Sequence, residues 1–268
     1  MRTALTFACD GVRLAATLDA AAGTTGLLIV SGGNEIRCGA HRGMAMLAAR
    51  MAAAGYPVLR FDRRGIGDSE GENGGFESSR DDIVAALGAF RAACPAVSRV
   101  VAFGNCDAAS ALALHQPLAV DALVLANPWT IATDAGDDTR ALPPAAAIRA
   151  RYWQRLRDPA SLMRLLRGQI DMGKLASGVA ALAGGTPPPT DLADRVVKAI
   201  AAAPQPVAVL LARGDRTAQA FAADWSGVDE AVRMRVAVHE LASASHSFVG
   251  DDGDWLAQQI LTALARQP

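Results

Sequence analysis

Three residues able to perform nucleophilic catalysis stand just beyond predicted strands. Cys106 follows the apolar run RVVAF, Asp215 follows VAVLLARG, and His246 follows RMRVAVHELASAS. In an open α/β sheet, ligands bind beyond the carboxyl ends of the strands, so these positions are expected to converge. The chain order nucleophile, acid, histidine is the order that accompanies a nucleophile on a sharp strand-to-helix turn. The pattern predicts a Cys-His-Asp triad.

The cysteine lies in the segment GNCDA, where a strand is predicted to turn directly into a helix. Such a turn requires small residues two positions before and after the nucleophile, and Gly104 and Ala108 meet that requirement. A helix N-terminus favours the thiolate form, and a nearby imidazole can accept the thiol proton. The alternative is a buried structural thiol, because free cysteine is among the most buried residue types.

His246 lies in the loop SASHSFVGDDGDW, which suits a base that reaches into a cleft, and Asp215 in RGDRT would orient its imidazole and fix its tautomer. His239 falls within a predicted strand and His115 near a helix end, so packing or surface roles are expected for both. His41 is at a predicted helix start, where capping or ligand contact are both open.

Acyl transfer also requires donors for an oxyanion. The backbone N–H of Asp107, directly after the nucleophile, is one candidate. The second is expected from SGGNEIR, where glycines after a strand let the backbone turn closely and leave the N–H of Gly33 or Asn34 facing the site. The same glycines resemble a phosphate loop, but the spacing of a P-loop or a dinucleotide fingerprint is missing, which disfavours nucleotide binding.

The elements that would position these residues alternate between strand and helix. Two β-like runs joined by Asp10-Gly11 predict an opening antiparallel hairpin. Continuous apolar runs then predict strands covered on both faces, as in a parallel sheet: GLLIVS, YPVLRFD, RVVAFG, DALVLAN and PVAVLLAR, with RMRVAVHEL (233–241) last. Helical spacing is found in 41–55, 79–94, 107–115 and the C-terminal DDGDWLAQQILTALARQ. This order predicts a mostly parallel, eight-stranded, doubly wound sheet.

Residues 127–204 break the alternation and predict an inserted helical lid, which leaves 1–126 and 205–268 as the core. From Arg149 to Lys174 the segment carries seven basic residues against two acidic ones, which fits either a solvated helix face or a site for an anionic carrier. The aromatic residues Trp129, Tyr152 and Trp153 are candidates to line an apolar pocket or to fill a core.

The whole-chain properties narrow the class of protein. The chain has 268 residues, a formal net charge of −1 and 51% hydrophobic residues, which argues against disorder and against a nucleic-acid partner. The four cysteines show neither metal-type pairs nor a dense disulfide framework, so reduced thiols are expected. Neither a secretory signal nor an apolar run of membrane-spanning length is apparent, so a cytoplasmic protein without an integral membrane segment is predicted.

The chain resembles the α/β-hydrolase superfamily through GYPVLRFDRRGIGDSEG, GNCDA, RGD and SHSF. GNCDA departs from the superfamily's usual Gly-x-Ser-x-Gly at the nucleophile and at the final glycine, and cysteine replaces serine as in dienelactone hydrolases. The segments SGGNEIRCGAHR, RFDRRGIGDSEG, GNCDAASAL and NPW look like those of the exosortase A system-associated hydrolases. This resemblance implies an α/β-hydrolase fold, a triad of Cys106, Asp215 and His246, and possible association with exopolysaccharide machinery.

These observations predict a hydrolase that cleaves a small-molecule carboxylic ester or thioester through a covalent acyl-enzyme, with neither cofactor nor metal. An acyltransferase that uses the same acyl-enzyme is the nearest alternative. A non-catalytic binding protein of an exopolysaccharide system is a second, because the missing elbow glycine leaves the reactivity of Cys106 open. A redox sensor is less favoured, since no resolving cysteine is evident from spacing, although the fold could bring Cys38 near.

Overall fold

A computed structural model of the protein describes residues 1–131 and 191–266. In chain order its strands are β1 (Arg2–Cys9), β2 (Val12–Asp19), β3 (Thr25–Val30), β4 (Val58–Phe61), β5 (Arg99–Asn105), β6 (Ala122–Ala126), β7 (Val207–Ala212) and β8 (Ala237–Leu241). Its α-helices are α1 (Gly43–Ala53), α2 (Arg80–Ala93), α3 (Asp107–Leu114), α4 (Asp191–Ala202), α5 (Arg216–Ser226), α6 (Glu230–Arg233) and α7 (Asp252–Ala265). Single 3-10 turns cover Ala40–Arg42 and Phe76–Ser78.

The described strands form one eight-stranded sheet in the order β1-β2-β4-β3-β5-β6-β7-β8. β2 pairs antiparallel with both β1 and β4, and the pairs from β4 through β8 are parallel. The predicted mostly parallel, eight-stranded architecture is therefore confirmed. Because β3, β5, β6, β7 and β8 point the same way, the loops after them gather at one edge of the sheet.

The opening hairpin turns where the sequence predicts it. Cys9 pairs with Val12, so Asp10 and Gly11 form a two-residue loop. Their φ angles of 47° and 85° are both positive, as a type I′ turn requires.

Helices cover both faces of the sheet, as a doubly wound fold demands. One face packs against α1 and α7, where Met44, Leu47 and Met51 recur at helical spacing and meet Leu256 and Ile260. The opposite face packs against α2, α3, α4 and α5 through a larger apolar cluster. The strands between the two layers are almost wholly apolar and buried, which explains their continuous hydrophobic runs.

Two local features differ from the sequence-based expectation. Residues 216–226 form helix α5, which was not predicted; its signals are an Asp215 N-cap and buried Ala218, Phe221 and Trp225 at helical spacing. The last strand was predicted to begin at residue 233 but begins at Ala237, because Asp229 caps the short helix α6 just before it.

Most of the predicted lid, 132–190, lies outside the described residues, including its basic segment, Tyr152 and Trp153. Helix α4 falls within the predicted range 127–204, and its Val196 and Ile200 are buried in the core cluster beside α3. That residues 132–190 form a helical lid stays a prediction. Within 1–131 and 191–266, none of the helices has the length and hydropathy needed to cross a bilayer.

Candidate active site

Cys106 sits on a sharp turn between β5 and α3. Its φ of 62° and ψ of −128° lie outside both the helical and the strand regions, so the backbone is strained there. A Cβ on Gly104 would lie 2.7 Å from the Ala108 carbonyl carbon, which only glycine avoids. The turn leaves Cys106 half-buried in a cleft, between a strand and a helix as the sequence predicts.

The structure brings His246 and Asp215 together beside this cysteine. His246 Nδ1 lies 3.0 Å from Asp215 Oδ1, and the imidazole also hydrogen-bonds the Cys106 side chain. Since Nδ1 faces the carboxylate, Nε2 is the nitrogen left for the thiol. The other Asp215 oxygen accepts the Ala218 N–H at 3.0 Å, so one carboxylate both orients the imidazole and caps α5.

The electrostatics of the pair favour an imidazolium. The hydrogen bond to Asp215, and then that to Cys106, raise the pKa of His246 to about 10 despite its partial burial. Burial raises the pKa of Asp215, but the hydrogen bond and charge of His246 outweigh it and hold that pKa below its usual value. A protonated His246 in the cleft beside Cys106 can donate its proton to a leaving group.

The predicted oxyanion donors belong to Asp107, directly after Cys106, and to the loop whose Gly33 lines the same cleft. Asp107 is the first residue of α3, so its N–H has no partner within the helix. The Gly33 N–H, however, donates to the Asp107 carboxylate, with N and Oδ1 2.6 Å apart. The buried Arg63 guanidinium donates to the Gly33 carbonyl and lies 3.4 Å from Asp107 Oδ2. The exposed Asn34 side chain accepts a hydrogen bond from the Asn73 amide, and an oxyanion role for the Asn34 backbone N–H stays a prediction.

The segment RFDRRGIGDSEG holds the loop that carries Gly33. Asp62 is fully buried and accepts hydrogen bonds from the backbone N–H of Arg37, the Arg37 guanidinium and the N–H of Asp68. A Cβ on Gly67 would meet Asp62 Oδ2 at 2.4 Å, so the glycine is required for this close approach. The motif therefore fixes the loop that carries Gly33 against the sheet.

Two asparagines that sequence reasoning did not select hold the histidine loop. The side-chain amides of Asn105 and Asn127 both donate to the backbone carbonyl of His246, at 3.1 and 3.2 Å. Asn127 Oδ1 accepts the Ala212 N–H at 2.9 Å, and Asn127 is completely buried with a φ of 41°. One sequence signal was available: a polar residue, Asn127, directly after the buried strand β6.

The other three histidines do not line the cleft around Cys106. His115 is buried at the end of α3 and hydrogen-bonds the Phe76 carbonyl at 3.0 Å, and His239 lies in β8. His41 is exposed in the 3-10 turn before α1 rather than inside a helix. Among the described residues, no group of three His, Cys, Asp or Glu side chains could hold a metal ion.

A small cleft of about 80 Å³ joins these features. Val30, Ser31, Gly32, Gly33, Glu35, Met44, Asn105, Cys106 and His246 line it. It brings the thiol, the imidazole and the glycine loop to one space, which is the arrangement that acyl transfer requires.

A family model described as the Alpha/beta hydrolase family matches residues 27–259, which is most of the chain. The chain belongs to the alpha/beta hydrolase family. The match covers β3 through most of α7 and includes Cys106, Asp215 and His246. A search of curated proteins gave no match for this alpha/beta hydrolase.

Solved structures of the same fold include esterases and thioesterases. The esterase Pf2001 from Pyrococcus furiosus has a TM-score of 0.62 and 14% identity, over 98% of this chain and 89% of its own. The alpha/beta hydrolase GrgF from Penicillium sp. sh18 has a TM-score of 0.65 and 15% identity, over 98% of each chain. The thioesterase domain from the curacin biosynthetic pathway has a TM-score of 0.58 and 12% identity, over 97% and 99%. At these identities the likeness shows the fold.

Proposed function

We propose that this alpha/beta hydrolase cleaves a carboxylic ester or thioester through a covalent acyl-enzyme on Cys106. The observation that carries the proposal is the contact chain from Cys106 to His246 to Asp215 at the end of three parallel strands. The esterase and thioesterase names among proteins of the same fold support the choice of reaction class.

In the first half-reaction the proton of the Cys106 thiol passes to His246, the sulfur attacks the substrate carbonyl carbon to form a C–S bond, and the carbonyl electrons move to the oxygen. The N–H groups of Asp107 and Gly33 stabilise that oxyanion. Collapse of the intermediate expels the alcohol or thiol, which takes a proton from His246. Water then attacks the acyl-enzyme while His246 accepts its proton, and the carboxylic acid leaves as the Cys106 sulfur is released. Asp215 keeps the imidazole oriented throughout.

Thioesters suit this site well, because a leaving thiolate needs little help from an acid. Transfer of the acyl group to an alcohol or a sugar would use the same acyl-enzyme and differ only in the acceptor. The two outcomes separate in the second half-reaction, where an added acceptor either does or does not outcompete water.

The test is the intact-protein mass after brief mixing with a panel of activated acyl esters and acyl thioesters. We expect a mass increase equal to the acyl group in the wild type, no adduct in Cys106→Ala, and an adduct that forms far more slowly in His246→Ala. Cys94→Ala is the matched control, because it removes another half-buried thiol that does not line the cleft. Folded protein that forms no adduct and turns over no donor would instead indicate a binding protein.

We also propose that the chain is of the exosortase A system-associated type and acts in the cytoplasm. The support for the subtype is that all four segments of the resemblance meet around Cys106. Gly33 comes from the first, Arg63 from the second, Asp107 from the third and Asn127 from NPW. Including acylated sugars among the donors tests the suggested link with exopolysaccharide.

A further inference from the structure

A second, larger cavity lies next to the catalytic cleft, between the first turns of α1 and α7. Its volume is about 400 Å³, within the range of small-molecule sites. The cleft around Cys106 is smaller, at about 80 Å³. Among the described residues, it is the neighbouring cavity that has room for the hydrocarbon chain of a substrate.

One side chain borders both spaces. Met44, in the first turn of α1, lines both the cleft and the cavity. The loop after His246 contributes Ser247 and Phe248 to the same cavity. One side of the cavity is therefore formed by the start of α1, which follows the loop that carries Gly33. The other side is formed by the residues directly after His246.

The cavity wall is apolar and held in place. Leu47, Phe248 and Leu256 form buried parts of it, and Phe248 stacks on Trp255 with ring centroids 5.9 Å apart. At the rim, Val249 is 50% exposed, an unburied apolar group that an apolar ligand would cover. The charged residues at the rim, Arg50 and Asp254, pair with each other.

Positive φ angles add a further sign of function around this cavity. His41 and Phe248 line it with φ angles of 51° each, and Arg42, next to His41, has a φ of 62°. Strained non-glycine residues cluster where a fold holds a ligand or a catalytic group. His41, left open by the sequence as a cap or a ligand contact, thus lies at a ligand-sized space.

We propose that this cavity binds the apolar hydrocarbon chain of the ester or thioester that Cys106 attacks. The inference rests on the proposed function and specifies its substrate as one with a medium-length apolar chain. The chain passes Met44 from the cleft into the space between α1 and α7. It belongs to either the acyl group or the leaving group, and the experiment separates these two sources.

Gly43 offers a way to fill the cavity without disturbing the fold. It is the first residue of α1, has helical φ and ψ angles of −57° and −45°, and a Cβ there would meet nothing within 4 Å. Gly43→Leu therefore adds a side chain at the cavity wall. Gly88→Leu is the matched control, because Gly88 is also helical with open space at its Cβ but lies in α2, on the opposite face of the sheet.

The experiment uses two substrate series, p-nitrophenyl esters of increasing acyl length and acetyl thioesters of alkyl thiols of increasing length. In the wild type, kcat/KM rises by up to about fourfold per added methylene in one series until the cavity is full. Gly43→Leu lowers kcat/KM at least about tenfold for the long substrates of that series and leaves acetyl substrates within about twofold, whereas Gly88→Leu matches the wild type. The series that responds identifies which part of the substrate enters.

Val249→Asp is a second variant, which places a carboxylate at the apolar rim and lowers long-chain activity in the same series. An unchanged length dependence in both variants, with acetyl hydrolysis intact, would overturn the cavity assignment and leave the proposed function standing.

Binding of decanoate to Cys106→Ala protein by calorimetry needs no turnover. If the wild-type protein forms no acyl adduct, the proposed reaction fails. Weaker decanoate binding after Gly43→Leu would still support the cavity assignment in that case.

Discussion

At the scale of single residues, the site depends on side chains that do not react. The amides of Asn105 and Asn127 fix the His246 carbonyl, while Asp215 fixes its ring. Backbone and side chain of the histidine are thus held from two directions. Asn127 also binds the Ala212 N–H at the end of β7, three residues before Asp215, so it links the supports of base and acid.

We expect Asn127→Gly to lower kcat by about tenfold to a hundredfold with KM nearly unchanged, because the imidazole loses its alignment with Cys106. Glycine tolerates the φ of 41° at this position, so the backbone is kept and the amide alone is lost. The measurement is the rate of acyl-adduct formation across pH, together with kcat and KM. Asn73→Gly, which removes an exposed amide, is the control. A lower melting temperature with an unchanged kcat and pH profile would reduce Asn127 to a structural role.

At the scale of elements, the loop between β3 and α1 that carries Gly33 is held by the buried Asp62 carboxylate from the segment after β4. Arg37 in this loop binds two carboxylates that differ in exposure. Asp62 is fully buried, whereas the Asp68 side chain is 74% exposed. The contributions of a buried and an exposed carboxylate to the same arginine can therefore be compared directly.

We expect Asp62→Asn to lower the free energy of unfolding by about 3 kcal/mol, because an NH2 group replaces one accepting oxygen of a fully buried carboxylate and faces the N–H donors of Arg37 or Asp68. Asp68→Asn should cost at most about 1 kcal/mol, since its ion pair is exposed to solvent. Urea unfolding of both variants checks the difference. Equal losses in the two variants would show that burial of Asp62 is not what anchors the loop.

How far the elements could be predicted depended on whether their signals were local. The strands of the parallel sheet are continuous apolar runs, and the Asp10-Gly11 turn specifies its hairpin, so both were predicted from the sequence. Helix α5 was missed because Asp215 was interpreted as a triad acid or a turn carboxylate and not as the N-cap of a helix. The role of Asn127 depends on β6 lying beside the loop after β8, a contact across 119 positions that periodicity does not reveal.

At the scale of the whole molecule, the pair of His246 and Asp215 also affects folding. The pKa of His246 is raised from 6.5 to about 10 by Asp215 and Cys106. A group whose pKa is higher in the folded state stabilises that state fully below its unfolded pKa, and the contribution disappears as pH rises through the folded pKa. Stability from this pair is therefore present at pH 6 and is lost by about pH 10.

We expect a double-mutant cycle of His246→Gln and Asp215→Asn to show a favourable coupling in the free energy of unfolding near pH 6. The coupling should decrease steadily between pH 6.5 and 10 as the imidazolium loses its proton. Urea unfolding of the four proteins at several pH values measures it. A coupling that is constant from pH 6 to 10 would contradict an ionised pair in the folded protein.

The bond from the Gly33 N–H to Asp107 has a consequence for how the site discriminates between reaction states. In the proposed reaction, the substrate oxygen must exchange with a carboxylate that already accepts this hydrogen. A neutral carbonyl is the weaker acceptor and gains little from the exchange, whereas the charged oxygen of the tetrahedral intermediate competes on equal terms. Because of the Asp107 carboxylate, the Gly33 N–H binds the transition state more strongly than it binds the substrate. Its hydrogen bond therefore lowers the activation barrier rather than KM.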